Sequence, residues 1–163
     1  MATSIKNLSD YDKNIISNGA DYKIGIVVSE WNEQITKALL QGALETLKEH
    51  GVQDNHLDIK HVPGAFELPL GAQYLLEQKK LDGVLTIGTV IQGETKHFDF
   101  VCNGATQGIM QVMLKYNTPI SFCVLTDNNI QQSIDRSGGK HGNKGVECAV
   151  SLLKMIQLQR SLK

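Results

Sequence analysis

Residues 83–102 read GVLTIGTVIQGETKHFDFVC. Gly83 to Ile91 is an apolar, β-branched run of strand length, well short of the roughly 18 residues that argue for a bilayer span. A polar turn, Gln92 to Lys96, leads to His97 and to a helical pattern from about Asp99 to Tyr116. A buried strand feeding a helix through a short turn is half of a βαβ unit, so the fold depends on whether that unit repeats.

It does repeat. KIGIVVS (Lys23 to Ser29) is a strand run, and the segment after it places Ile35, Leu39, Ala43 and Leu47 near helical spacing with Gly51 as a stop. LDIKHV (Leu57 to Val62) and PISFCVLT (Pro119 to Thr126) repeat the strand signal. Helical segments are predicted near Phe66 to Lys79, Asn129 to Arg136 and from about Lys144 onward. Alternation of this kind predicts an α/β fold with a parallel sheet and helices on both faces. With no internal repeat or low-complexity segment, residues 1–163 read as a single domain, and residues 1–22 as an N-terminal arm outside the α/β core.

Composition narrows the function. There are 16 basic and 17 acidic side chains, a net charge of −1, so a polyanion-binding surface is disfavoured and nucleic acid is not an expected partner. The three cysteines, Cys102, Cys123 and Cys148, form no C-x-x-C pair and sit in apolar surroundings, as reduced, buried thiols do. The amino terminus has neither a secretory nor an Arg-rich transit pattern, and a cytoplasmic protein without membrane attachment is expected.

In open parallel α/β sheets, ligands bind beyond the carboxyl ends of the strands. SEWN follows the first strand, VPGAFE the second, GETKH the third and TDNN the fourth. Each loop alone is adequately explained by turn formation; aromatics, glycines and a histidine gathered at one edge favour a site. Gly93, Glu94 and Thr95 form a turn that offers N–H groups and a hydroxyl to an anion, or simply caps the next helix. Beside an anion-binding turn, His97 can move protons near neutral pH. Trp31 can stack on a planar ligand or staple the first helix. Glu67 can be a ligand or a helix-dipole partner. RSGGKHGNKG (Arg136 to Gly145) is either a second anion clamp or a flexible connector; it lacks the P-loop pattern. No G-x-G-x-x-G follows a strand, the histidines show no metal-ligand spacing, and Cys102 fits buried packing better than nucleophilic work. No metal site is expected.

Taken together and in order, SEWNEQIT, VPGAFELP, GTVIQGETKHFDFVC and GNKGVECAV resemble the lumazine synthase family from about Lys23 to the end of the chain. The resemblance implies a flavodoxin-like three-layer sandwich. It implies condensation of 5-amino-6-ribitylamino-2,4-pyrimidinedione with 3,4-dihydroxy-2-butanone 4-phosphate, without metal or redox cofactor. It makes Trp31 the aromatic against the pyrimidine, and Gly64, Ala65 and Glu67 the ribityl holders. Thr89, Val90 and Ile91 become further substrate-binding residues, Gly93, Glu94 and Thr95 the phosphate loop, and His97 the proton shuttle. Phe122, Arg136 and Lys144 are implied to enter a neighbouring subunit's site. Many relatives carry Arg where this chain has Gln92, and Glu94 beside a phosphate is electrostatically awkward, so more of the anion binding is expected to fall on Arg136. The resemblance further implies pentamers, their closure into an icosahedral shell, an arm lying on the neighbouring subunit, and riboflavin synthase as a candidate partner. A non-catalytic flavin carrier and an inactive shell protein are the alternative functions. The apolar arc of the last helix, Val146 to Ile156, is too wide for one sheet face, and is covered either by a second helix of the same subunit or by a neighbouring chain.

Overall fold

The computed structural model describes residue 7 and residues 9–162. Its centre is β1 (Ile24–Ser29), buried along its whole length. This strand pairs in parallel with β2 (Leu57–Val62) and with β3 (Gly83–Ile91); β3 in turn pairs with β4 (Ile120–Asp127), giving the order β2-β1-β3-β4. Side chains sort by parity, because successive strand residues point to opposite faces. Ile24, Ile26, Val28, Leu85, Ile87, Cys123 and Leu125 share one core, while Val27, Val84 and Val124 belong to the other.

The helices are α1 (Glu33–Glu49), α2 (Leu68–Gln78), α3 (His97–Tyr116), α4 (Ile130–Arg136) and α5 (Lys144–Ser161). The first core contains Leu39 and Leu47 of α1 with Leu152, Leu153 and Ile156 of α5; the second contains Leu68, Ala72 and Leu75 of α2 with Ile109 and Val112 of α3. Two helices thus cover each face, the three-layer α/β sandwich of flavodoxin-like proteins. Each fully buried Leu or Ile contributes about 1.5–3 kcal/mol to holding the layers together.

Two helix starts differ from the sequence reading. The second helix begins at Leu68, after a 3-10 turn over Ala65–Glu67, with Pro69 in the first turn, where its missing N–H costs nothing. The third begins at His97 rather than Asp99. The segment before the last helix is a hairpin, β5 (Ser137–Gly139) against β6 (Gly142–Asn143), not a flexible connector. Gly138 and Gly142 take positive φ values of 121° and 81°, and Asn143 Oδ1 accepts from Gly145 N (2.8 Å) to cap α5 while its Nδ2 donates to Ala38 O (2.9 Å).

The wide apolar arc of α5 is mostly absorbed inside the chain. α1 approaches so closely that a Cβ on Gly145 would lie 1.9 Å from Leu39 O. Cys148, Ala149, Val150, Leu152, Leu153 and Ile156 are buried as a result, and Met155, 49% exposed, is the main apolar residue of the arc left outside. This helix therefore gives little motive for association. Exposed apolar side chains gather instead on the opposite layer, at Leu70 and Tyr74 of α2 and Phe100, Met110 and Leu114 of α3.

Residues 9–22 pack on their own chain. Ile16 and Tyr22 are buried, and Tyr11 Oη bonds Glu49 Oε2 and His50 Nε2 at the end of α1. Burial, and then the Glu49 charge, push the Tyr11 hydroxyl up to about 12. The Arg160 guanidinium of α5 lies 4.4 Å from the centre of the Tyr22 ring. The expected contact of the arm with a neighbour falls, for residues 1–6 and 8, outside the described residues.

Candidate active site

The chain runs from β1 outward to β2 on one side and from β3 to β4 on the other, so the loops after β1 and β3 diverge and leave a crevice at the carboxyl edge. An open cleft of about 560 Å³ lies there. Trp31 and Asn32 come from the loop after β1; Gly64, Ala65, Phe66 and Glu67 follow β2; Thr89, Val90 and Ile91 end β3; and His97, Phe100 and Val101 begin α3.

Local structure explains each placement. Glu30 N and Trp31 N donate to Val62 O (2.9 Å) and Pro63 O (3.3 Å), which ties the first loop to the second. Asn32, left-handed at φ 59°, then starts α1 and leaves Trp31 72% exposed, a large apolar face turned to solvent rather than a staple. Trp31 and Glu67 both lie against Gly64: a Cβ there would lie 3.1 Å from Glu67 Oε2 and 3.5 Å from Trp31 Cδ1. Phe66 sits over Gly104 of α3 and Pro69 over Gly108, at distances where a Cβ would clash (2.5 and 2.7 Å). Those two glycines let the 3-10 turn settle against α3.

His97 is exposed, and its imidazole has no hydrogen-bond partner among the described residues; its backbone N donates to Thr95 Oγ1 at 3.4 Å. Residues 92–96 are exposed throughout and join two lining residues, Ile91 and His97. A Cβ on Gly93 would meet nothing within 4 Å. None of Gly93, Glu94 and Thr95 lines the cleft, and among the described residues no lysine or arginine does.

Phe122, Arg136 and Lys144 lie elsewhere on the chain. Phe122 is half-buried on the edge strand β4, beside Met113 and Met155. Arg136 ends α4, where Nη1 donates to Gln132 O (3.1 Å) and stands 3.8 Å from Asp127 Oδ1. Lys144 begins α5 and pairs with Glu147 at 2.5 Å. Cys102 is half-buried rather than buried; burial first and Asp99 second push its thiol up, away from nucleophilic use. Among the described residues no group of His, Cys, Asp or Glu side chains could hold a metal ion.

Asn32, Phe66, Phe100 and Val101 were not singled out from the sequence. A signal existed for two of them: His97, Phe100 and Val101 stand at i, i+3 and i+4, so a helix that aims His97 into a cleft aims the other two with it.

Fold and cleft together define a flavodoxin-like α/β protein with an open cleft, its candidate small-molecule site, at the topological switch point. Comparison with known proteins narrows that class. Residues 21–160 match the family described as 6,7-dimethyl-8-ribityllumazine synthase. The chain is 54% identical to the protein of that name from Christiangramia forsetii, over all of this chain and 98% of the relative. It is 55% identical to the one from Flavobacterium johnsoniae, over 98% of this chain and 84% of the relative, and 51% identical to that of Parabacteroides distasonis, over 96% and 98%. The chain belongs to the 6,7-dimethyl-8-ribityllumazine synthase family.

Proposed function

We propose that the chain condenses 5-amino-6-ribitylamino-2,4-pyrimidinedione with 3,4-dihydroxy-2-butanone 4-phosphate to 6,7-dimethyl-8-ribityllumazine, phosphate and water, the penultimate step of riboflavin biosynthesis. Trp31 offers its exposed face to the pyrimidine; Gly64, Ala65 and Glu67 hold the ribityl chain; Thr89, Val90 and Ile91 flank the ring. The amine attacks the ketone and water leaves to give an imine. His97 then takes the proton that must depart as phosphate is eliminated, a contribution of roughly 10²–10⁴-fold for a placed base. The enol left by that elimination becomes a ketone, and the second nitrogen attacks its carbonyl carbon and closes the ring as a second water leaves, a step that needs chiefly the proximity that stacking and anchoring supply.

One observation carries the reading: Trp31, Glu67 and His97 share a cleft that no lysine or arginine lines among the described residues. Elimination of phosphate builds negative charge, which N–H groups at Gly93 and Thr95, the Thr95 hydroxyl and a guanidinium fork stabilise. The fork is Arg136 of a neighbouring chain, which with Phe122 and Lys144 completes the site; Glu94 turns away. Assembly is thus part of the function. Pentamers closing into an icosahedral shell suit a chain whose α2 and α3 expose Tyr74, Phe100 and Leu114. The free thiols Cys102, Cys123 and Cys148 suit the cytoplasm, and riboflavin synthase, which consumes the lumazine, is the proposed partner. No helix among the described residues is long and apolar enough to cross a membrane.

Incubation with both substrates, followed by lumazine absorbance, tests the reading. Product formed at a rate proportional to protein supports it. Flavin bound without any turnover would instead make the chain a carrier.

A further inference from the structure

Asp127, the last residue of β4, is buried, yet its carboxylate is not idle. Ser133 Oγ of α4 donates to Oδ2 at 2.8 Å, and Thr89 Oγ1 of the cleft lies 3.3 Å from the same hydroxyl. Oδ1 faces the Arg136 guanidinium at 3.8 Å, too far for a hydrogen bond and within the range of an ion pair. The backbone of Asp127 works on the other side, where its carbonyl accepts from Gln92 N (2.9 Å) at the entrance to the 92–96 loop.

We propose that Asp127 is the positioning residue for Arg136, and that Ser133 fixes its carboxylate; this rests on the reading of Arg136 as a phosphate ligand. A long arginine loses much rotamer freedom when it binds an anion, so holding it beforehand lowers that cost. Asp127 does so without consuming the fork. Of five N–H donors, Arg136 spends one on Gln132 O among the described residues, which leaves a planar face for bidentate contact with phosphate. The same residue sets the origin of the 92–96 loop through its carbonyl, so both proposed phosphate-binding elements of one chain are referenced to the end of β4.

The test measures KM for the butanone phosphate and the inhibition constant of inorganic phosphate on the assembled full chain. Asp127→Asn keeps an acceptor for Ser133 and removes the charge. It should raise both values roughly tenfold, with KM for the pyrimidine unchanged. Ser133→Ala should act in the same direction by about threefold. In an Arg136→Ala background neither change should add anything, because the group they position is gone. Unchanged phosphate values in an assembled Asp127→Asn protein, or a full effect persisting without Arg136, would overturn the inference. If Asp127→Asn fails to assemble, Ser133→Ala decides by the same criteria. If Arg136→Ala alone leaves both values unaltered, the phosphate reading of Arg136 falls first and this inference with it.

Discussion

His97 stands at the first position of α3, its ring without a hydrogen-bond partner among the described residues, between the exposed 92–96 loop and the aromatic wall of Phe100. In the proposed reaction a base in that position takes the proton lost after imine formation, so its removal bears on the chemical step. His97→Ala should lower kcat by roughly 10- to 10³-fold and change KM for either substrate little, with residual turnover because condensation proceeds slowly unaided. An unchanged kcat in a folded His97→Ala protein would assign the proton transfer elsewhere. Trp31 supports a second prediction at this scale. Its exposed indole should stack on riboflavin, a larger analogue of the product, and quench its fluorescence, and Trp31→Ala should abolish the quenching. Equal quenching by both proteins would place the flavin away from this cleft.

Between elements, glycines decide where helices meet. Gly145→Ala pushes a methyl group to within 1.9 Å of the Leu39 carbonyl, a backbone atom that cannot step aside, and should cost about 3 kcal/mol or more in chemical unfolding. Gly93→Ala, with nothing within 4 Å, should change stability by less than about 0.5 kcal/mol. A neutral Gly145→Ala would mean that α1 and α5 are not held at this separation. The same contact shows where sequence reading stops. The strand spans Leu57 to Val62 and Gly83 to Ile91 were legible to the residue, because β-branched runs bounded by turns depend on local pattern alone. Ile35, Leu39, Ala43 and Leu47 were legible as a buried stripe for the same reason. The partner of the α5 arc was not, since it depends on Gly42 of α1 receiving the Asn143 cap and on Gly145 of α5 meeting Leu39 of α1 across about a hundred residues of chain, a distance no periodicity reports. Nor was the hairpin before α5, whose glycines read equally well as slack. In the site, Trp31, Glu67 and His97 could be named because they close strand ends, and the loop order of the fold brings strand ends together. Phe66 could not, because its position depends on Gly104 receiving its ring.

At the scale of the whole molecule, the cleft proposed for the phosphate ester is lined by no lysine or arginine among the described residues, while Arg136 and Lys144 lie outside it. In the proposed assembly a second copy supplies what each lacks, and the exposed Tyr74, Phe100 and Leu114 offer apolar surface for it. The central claim is therefore that each active site is divided between chains, with His97 from one and Arg136 from the next. Complementation measures this most directly. His97→Ala and Arg136→Ala chains, each assembled alone, should be nearly inactive; unfolded together and reassembled, they should regain a substantial fraction of wild-type lumazine formation, because some interfaces then join an intact His97 to an intact Arg136. Verified mixed assemblies that remain as inactive as their parents, or a fully active monomer in sedimentation, would contradict the account.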